Sequence, residues 1–89
     1  MREHVVNDLE LCVINDGDGD LCGVNYIARV NAIRHGNEAL LLPRVTDCAW
    51  TMVNRFGTPA PTKAEIKEAY RRICAYYRNH IAEMDADAS

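Results

Sequence analysis

Three acidic residues, Asp16, Asp18 and Asp20, have the spacing that comes closest to a ligand-binding motif in this sequence. They match the first three ligand positions of a calcium-binding EF-hand loop. The sixth position of such a loop needs glycine for a sharp turn and here holds Leu21, and the twelfth needs a bidentate glutamate and here holds Ile27. We therefore expect a polar turn in this stretch, and no calcium binding at physiological concentrations.

No other group of side chains has the spacing of a catalytic or cofactor-binding motif. The three histidines, at positions 4, 35 and 80, are far apart, and none lies in a recognised nucleophile motif. The stretch GDGDL carries carboxylates that would repel a phosphate. The cysteines at positions 12, 22, 48 and 74 form no CxxC pair, so we expect reduced thiols rather than zinc ligands or disulfides. The sequence thus predicts a protein that is not an enzyme and has no metal and no cofactor.

Four basic residues near the carboxyl end could contact nucleic acid. On a helix, Lys63, Lys67, Arg71 and Arg78 fall within about 80° of one another, and we call this set the basic ridge. Such a ridge could hold backbone phosphates. However, the chain has a net charge of −3, and long basic side chains commonly cover apolar surface with their stems. Nucleic-acid binding is therefore the alternative function rather than the first one.

Exposed aromatic residues beside arginines suggest a protein interface instead. Trp50 and Tyr76 both fall off the apolar stripes of the helices predicted to carry them, and exposed Trp, Tyr and Arg are frequent interface anchors. A position for Trp50 under a loop in the core is an equal alternative. The candidate partner-binding residues are Trp50, Tyr76, Arg55 and Arg72. The expected partner is another protein or a second copy of this chain.

A long amphipathic helix at 63–84 is the clearest structural element of the sequence. Thr62 and Glu65 have the spacing of a capping box, which satisfies free backbone N–H groups at a helix start. Ile73 lies at the centre of the apolar stripe and is predicted to be a core residue. The other members of the stripe are Ile66, Ala69, Tyr70, Cys74, Tyr77, Ile81 and Met84.

The rest of the chain predicts an α+β fold. Three short apolar runs, 8–14, 24–32 and 38–45, alternate at period two and are separated by turn residues at 15–20 and 35–37. We expect them to form a three-stranded antiparallel meander, with Pro43 in an edge strand. Thr46 is the predicted N-cap of a helix at 47–56 that ends at Gly57. The alternative is an all-α four-helix bundle, because residues 3–14 also have helical spacing.

Size and composition limit the function further. The 89 residues are 48% hydrophobic and 26% charged, which is typical of one small globular domain, expected at 1–84 and followed by a flexible acidic tail at 85–89. The acidic amino-terminal stretch argues against export, and no apolar run could span a membrane, so we expect a cytoplasmic protein without membrane contact. In size and charge the chain is similar to small accessory proteins of phages and mobile elements, such as anti-CRISPR and anti-restriction proteins. The first expectation is therefore an adaptor, or an inhibitor that covers a surface of a larger machine.

Overall fold

The chain folds as an all-α domain in which every predicted strand is helical. The computed structural model describes residues 1–18 and 24–88, with side-chain environments for 1–15 and 27–87. Its elements are α1 Glu3–Asp18, α2 Val24–Arg34, a 3₁₀ helix Glu38–Leu41, α3 Leu42–Phe56 and α4 Lys63–Ala88. Because no strand occurs within the described ranges, the predicted meander is wrong, and the all-α alternative agrees with the structure.

Helix α1 contains the first predicted strand. Val6, Leu9 and Val13 recur at helical spacing and are 0% exposed, whereas Leu11, which a strand would have placed beside Leu9 and Val13, is 56% exposed. Residues 8–14 are too few to distinguish the two-residue repeat of a strand from the 3.6-residue repeat of a helix. Val6, about one turn before Leu9, is buried on the same face, which agrees with the helical repeat. The predicted turn at 15–20 overlaps the end of α1, and its last two residues lie outside the described ranges.

Helix α2 replaces the second predicted strand. This helix has no continuous apolar face. Its charged residue Arg29 is buried, at 3% exposed, whereas its apolar residue Ile27 is 50% exposed. The Arg29 guanidinium donates hydrogen bonds to the Val13 carbonyl at 2.8 Å and to the Tyr77 hydroxyl at 3.1 Å. The apolar residues therefore scatter around the helix, and the sequence pattern resembles an alternating strand. This is why the period-two interpretation failed.

The predicted turn at 35–37 is present, but it follows a helix. Gly36 has a φ of 75°, and its N–H donates to the Ile33 carbonyl at 3.1 Å. The Asn37 N–H donates to the Ala32 carbonyl at 2.7 Å. These two bonds form a Schellman motif, which satisfies the last carbonyls of α2.

Helix α3 begins inside the third predicted strand. Pro43 lies in its first turn, where a missing N–H costs nothing because the first N–H groups of a helix have no partner within it. Thr46 is therefore not an N-cap; its hydroxyl lies in the second turn and donates to the Leu42 carbonyl at 3.1 Å. The predicted end is confirmed, since Gly57 has a φ of 64° and its N–H donates to the Val53 carbonyl at 3.1 Å.

Helix α4 starts as predicted, at a capping box. The Thr62 N–H donates to Glu65 Oε1 at 2.8 Å, and the Glu65 N–H donates to Thr62 Oγ1 at 3.2 Å. The helix continues past the predicted end at Met84 as far as Ala88, and Asp85 forms an ion pair with Arg34 at 2.8 Å. That residues 85–89 form a flexible tail stays a prediction.

The core lies along one side of α4, against α1, α2 and α3. Ile73 and Tyr77 are both 0% exposed, and the prediction that Ile73 is a core residue is confirmed. The remaining buried members of the core are Val6, Leu9, Val13, Val30, Ile33, Leu41, Val45, Cys48, Ala49, Ala69 and Cys74. The molecule measures 44 × 23 × 20 Å, and α4 sets the long dimension.

Candidate functional site

An open groove of about 390 Å³ lies between α3 and the start of α4. We call it the Trp50 groove. Its lining residues are Leu42, Thr46 and Trp50 from α3, Pro61 from the connection, and Lys63, Ile66 and Lys67 from α4. Four of these seven residues are apolar, and of the three polar ones both lysines are exposed. A mainly apolar lining is the usual composition of a site that receives an apolar group.

Trp50 forms one wall of the groove because of its position on α3. The buried residues Val45, Cys48 and Ala49 define the inner face of this helix, and Trp50 lies roughly 150° round the helix from their centre. Trp50 as a whole residue is 59% exposed. The sequence left the core and surface positions of Trp50 open, and the structure places this residue on the surface.

Lys63 and Lys67 supply the charge at the edge of the groove. Both are exposed, and they are separated by one turn of α4, about 6 Å along its axis. No aspartate or glutamate within the described part of the chain lines the groove. Among the residues that the structure describes, neither lysine has an ion-pair partner. The edge of the groove therefore carries two positive charges that no carboxylate of the described residues neutralises.

The other half of the basic ridge is already neutralised. Arg71 forms an ion pair with Glu68, in which Arg71 Nε donates to Glu68 Oε2 at 3.0 Å, and Arg78 forms an ion pair with Glu38 of the 3₁₀ helix. Hydrogen bonds from Arg71 and then from Arg72, with their positive charges, lower the pKa of Glu68 to about 2. Arg78 similarly lowers the pKa of Glu38. The four basic residues do share one edge of α4, but two of them are paired with carboxylates.

Tyr76 and Arg55 lie away from the Trp50 groove. Tyr76 is roughly 20 Å along α4 from Lys63 and about 130° round the helix from the groove-lining residues. Its ring packs edge-on against Tyr77 at 5.2 Å between centroids and stacks on His80 at 6.2 Å. Arg55 is exposed on α3, about 140° round that helix from Trp50.

Arg72 belongs to the contact between α1 and α4. It forms an ion pair with Glu3, donates to Asn7 Oδ1 at 2.9 Å, and donates through Nε to Glu68 Oε1 at 3.1 Å. Its donors are therefore occupied within the protein. The structure does not bring the four predicted partner-binding residues together: Trp50 is in the groove, and Tyr76, Arg55 and Arg72 lie on other surfaces.

A buried carboxylate, which the sequence did not reveal, positions one side of the groove. Glu65 is 1% exposed and accepts hydrogen bonds from Arg2: from Nε at 3.0 Å, from Nη2 at 2.6 Å and from the backbone N–H at 2.9 Å. These bonds, with that from the Thr62 N–H, hold the pKa of Glu65 far below its usual range. Arg2 Nη2 also donates to the Ala60 carbonyl at 2.9 Å and so fixes the connection that carries Pro61.

The remaining reactive side chains are dispersed. His4 is exposed on α1, His35 is exposed in the turn after α2, and His80 stacks on Tyr76. Among the described residues, no group of three His, Cys, Asp or Glu side chains could hold a metal ion, and Cys12, Cys48 and Cys74 are free thiols. Within the same residues no helix combines the length and hydropathy that crossing a bilayer requires.

Sequence reasoning missed the floor of the groove because it assigned residues 38–45 to a strand. Leu42 was therefore not placed on the same helix as Trp50, and Thr46 was placed only at its N-cap, although the three residues are spaced by four positions each. Reading Pro43 as a first-turn residue would have started the helix early enough to reveal this row.

Comparisons of the chain with protein-family models, with curated protein sequences and with solved structures gave no significant match.

Proposed function

We propose that the protein is a non-enzymatic binding module that attaches to another protein through the Trp50 groove and acts as an adaptor or as an inhibitor that covers the partner's surface. The observation that carries the proposal is the 59% exposure of Trp50 in the wall of an apolar groove. Small accessory proteins of phages and mobile elements, such as anti-CRISPR and anti-restriction proteins, are the class that this mode of action fits.

Covering the exposed Trp50 side chain with a partner would be strongly favourable in free energy. A tryptophan with more than half of its surface in water offers on the order of 100 Å² of apolar area, which is about 2–3 kcal/mol on burial. Tryptophan is also among the residues that most often dominate interface energies. The groove beside it gives an incoming side chain contact on more than one side.

A protein partner fits these observations better than a nucleic acid does. Phosphate binding would use the whole basic ridge, but Arg71 and Arg78 are paired with Glu68 and Glu38. The net charge of −3 adds long-range repulsion toward a polyanion. The groove is lined mainly by apolar side chains, which match the side chains of a protein.

We place the protein in the cytoplasm. The thiols of Cys12, Cys48 and Cys74 are free, and Cys48 and Cys74 are buried as small apolar residues. Free thiols that serve packing are stable in a reducing compartment.

The test is capture of partners from the host by the tagged protein, with Trp50→Ala compared with Phe56→Ala. Phe56 is 73% exposed on the same helix and does not line the groove, so it controls for loss of a surface aromatic. We expect one protein to be captured by the wild type and by Phe56→Ala, and to bind Trp50→Ala at least roughly 30-fold more weakly. Equal capture by both variants would overturn the proposal.

The same capture separates the other classes of partner. Replacing Lys63, Lys67, Arg71 and Arg78 by glutamine, together with nuclease treatment, tests the nucleic-acid alternative: a captured complex that nuclease abolishes contradicts the proposal. Sedimentation of the purified protein tests self-association, because a dimer that Trp50→Ala dissociates would identify a second copy, rather than another protein, as the occupant of the groove.

A further inference from the structure

We infer that the groove recognises an acidic amphipathic segment, in which an apolar side chain packs against Trp50 and two carboxylates meet Lys63 and Lys67. This inference rests on the proposed function, since it names the chemistry of the partner at the same groove. It adds the sign of the ligand's charge and the distance between its two carboxylates. The exposure of Trp50 alone determines neither.

The apolar half of the ligand follows from the floor of the groove. Leu42, Pro61 and Ile66 line it beside Trp50 and have no hydrogen-bonding side chain, and the hydroxyl of Thr46 already donates its proton to the Leu42 carbonyl. A polar side chain placed there would lose its hydration without compensation. The group that enters is therefore aliphatic or aromatic.

The acidic half follows from the charges at the edge. Lys63 and Lys67 both line the groove, and no aspartate or glutamate among the described residues does. A basic segment would meet like charges here, while an acidic one meets complementary charges.

The spacing of the lysines limits the geometry of the ligand. One turn of α4 separates them by about 6 Å, which is also the separation of carboxylates four positions apart on a helix. Residues two positions apart on an extended strand have a similar separation, about 6.5 Å. Either conformation can therefore place two carboxylates on the two lysines while the apolar side chain between or beside them enters the groove.

The experiment is selection of binders from a display library of random 16-residue peptides, with the wild-type protein as bait at low salt. We expect the enriched peptides to contain an apolar anchor and at least two acidic residues, and to bind Trp50→Ala poorly. We expect their affinity to fall on raising the salt to about 1 M, because rim charges are screened there. Enrichment of basic or uncharged peptides, or no enrichment dependent on Trp50, would overturn the inference.

A charge reversal with a matched control makes the selection sharper. Lys63→Glu/Lys67→Glu should weaken binding of the acidic peptides by roughly tenfold and shift a fresh selection toward basic peptides. Arg44→Glu/Arg55→Glu makes the same change in net charge on the side of α3 away from Trp50, and it should leave the preference unchanged. If both double variants alter the preference equally, the effect is one of net charge and the inference is wrong.

The outcomes separate this inference from the proposed function. A host protein that requires Trp50 but binds Lys63→Glu/Lys67→Glu as well as it binds the wild type would uphold the binding module and refute the acidic ligand. A host protein indifferent to Trp50→Ala would refute both. Urea unfolding of each variant shows whether a loss of binding comes from a loss of the fold.

Discussion

The two sides of α4 treat their charges in opposite ways. Toward α1, the carboxylate of Glu65 is buried and bonded to Arg2, and Arg72 is bonded to Glu3 and Asn7. Toward α3, Lys63 and Lys67 line the Trp50 groove together with the exposed Trp50. None of the described residues that line this groove is an aspartate or a glutamate. Charge on the first side therefore stabilises the fold, while the two lysines on the second side have no ion-pair partner among the described residues.

The paired charges on the α1 side of α4 also fix the residues that form the groove on the α3 side. Arg2 bonds the Glu65 carboxylate and the Ala60 carbonyl, and so ties α1 to the connection that carries Pro61 into the groove. The capping box between Thr62 and Glu65 sets the start of α4 at the same point. The shape of the groove thus depends on bonds made outside it.

The largest effect on stability should come from the apolar face of α4. Ile73→Ala removes a side chain that is 0% exposed and should lower the free energy of unfolding by about 2–5 kcal/mol. Ile66→Ala is the matched control, because Ile66 is only partly buried and lines the groove, so it should cost less. Urea denaturation measures both variants. Equal losses would mean that the groove is part of the core.

The next largest effect should come from the buried carboxylate. Glu65→Gln removes the charge that Arg2 pairs with in a buried position, so the urea midpoint should fall clearly. Asp85→Asn is the control, since its ion pair with Arg34 is exposed at both side chains and the substitution should change the midpoint much less. A larger loss from Asp85→Asn would contradict the view that the buried carboxylate stabilises the fold more than an exposed one.

The carboxylates of Glu65 and Glu68 predict the response to acid. Their pKa values are lowered in the folded protein from an ordinary value of 4.5, to about 2 for Glu68 and further for Glu65. The unfolded chain therefore binds protons first, and stability should be fully present above about pH 5 and fall as the pH drops toward 2. Glu65→Gln should flatten this dependence, and denaturant unfolding at a series of pH values measures it. A dependence as steep in Glu65→Gln as in the wild type would show that Glu65 does not carry the acid response.

A smaller effect is expected at the start of α4. Thr62→Ala removes the side-chain acceptor of the Glu65 N–H and should cost about 1 kcal/mol. Thr62→Ser retains the hydroxyl and should be close to the wild type. If the serine variant is as unstable as the alanine variant, the hydroxyl is not the stabilising group.

The smallest effect on stability should come from the lysines of the groove. Because Lys63 and Lys67 have no ion pair with the described residues, Lys63→Gln/Lys67→Gln should change the free energy of unfolding by less than about 0.5 kcal/mol. Thermal unfolding checks this. A large loss would assign the lysines to the fold instead of to a ligand.

The sequence predicts α4 and the end of α3 correctly, but not α1, α2 or the start of α3. Three predictions are confirmed: the capping box at Thr62, the C-cap at Gly57 and the burial of Ile73. The two caps depend on local backbone chemistry, and the burial of Ile73 follows from an apolar pattern that repeats over many helical turns. Helices α1 and α2 were misassigned because short apolar runs fit both periods and because tertiary contacts bury Arg29. Pro43 was taken as a strand signal because its place in a first helical turn depends on where the helix begins.

Part of the candidate site could also be reached from sequence. The off-stripe position of Trp50 and the common edge of Lys63 and Lys67 follow from the helical wheel, and the structure has both in one groove. The long-range pairs of Arg2 with Glu65 and of Arg78 with Glu38 could not be foreseen, because each joins residues far apart in the chain. Those pairs decide which basic residues remain available.

The most direct test of the central claim uses Trp50 as its own reporter, since the chain contains one tryptophan. Fluorescence and acrylamide quenching would be measured on the free protein and on its complex with the captured host partner. We predict a shift of the emission to shorter wavelength and clear protection from quenching in the complex, because the partner covers Trp50, which is 59% exposed in the free protein. A saturated complex in which emission and quenching match those of the free protein would contradict the assignment of the Trp50 groove as the binding surface.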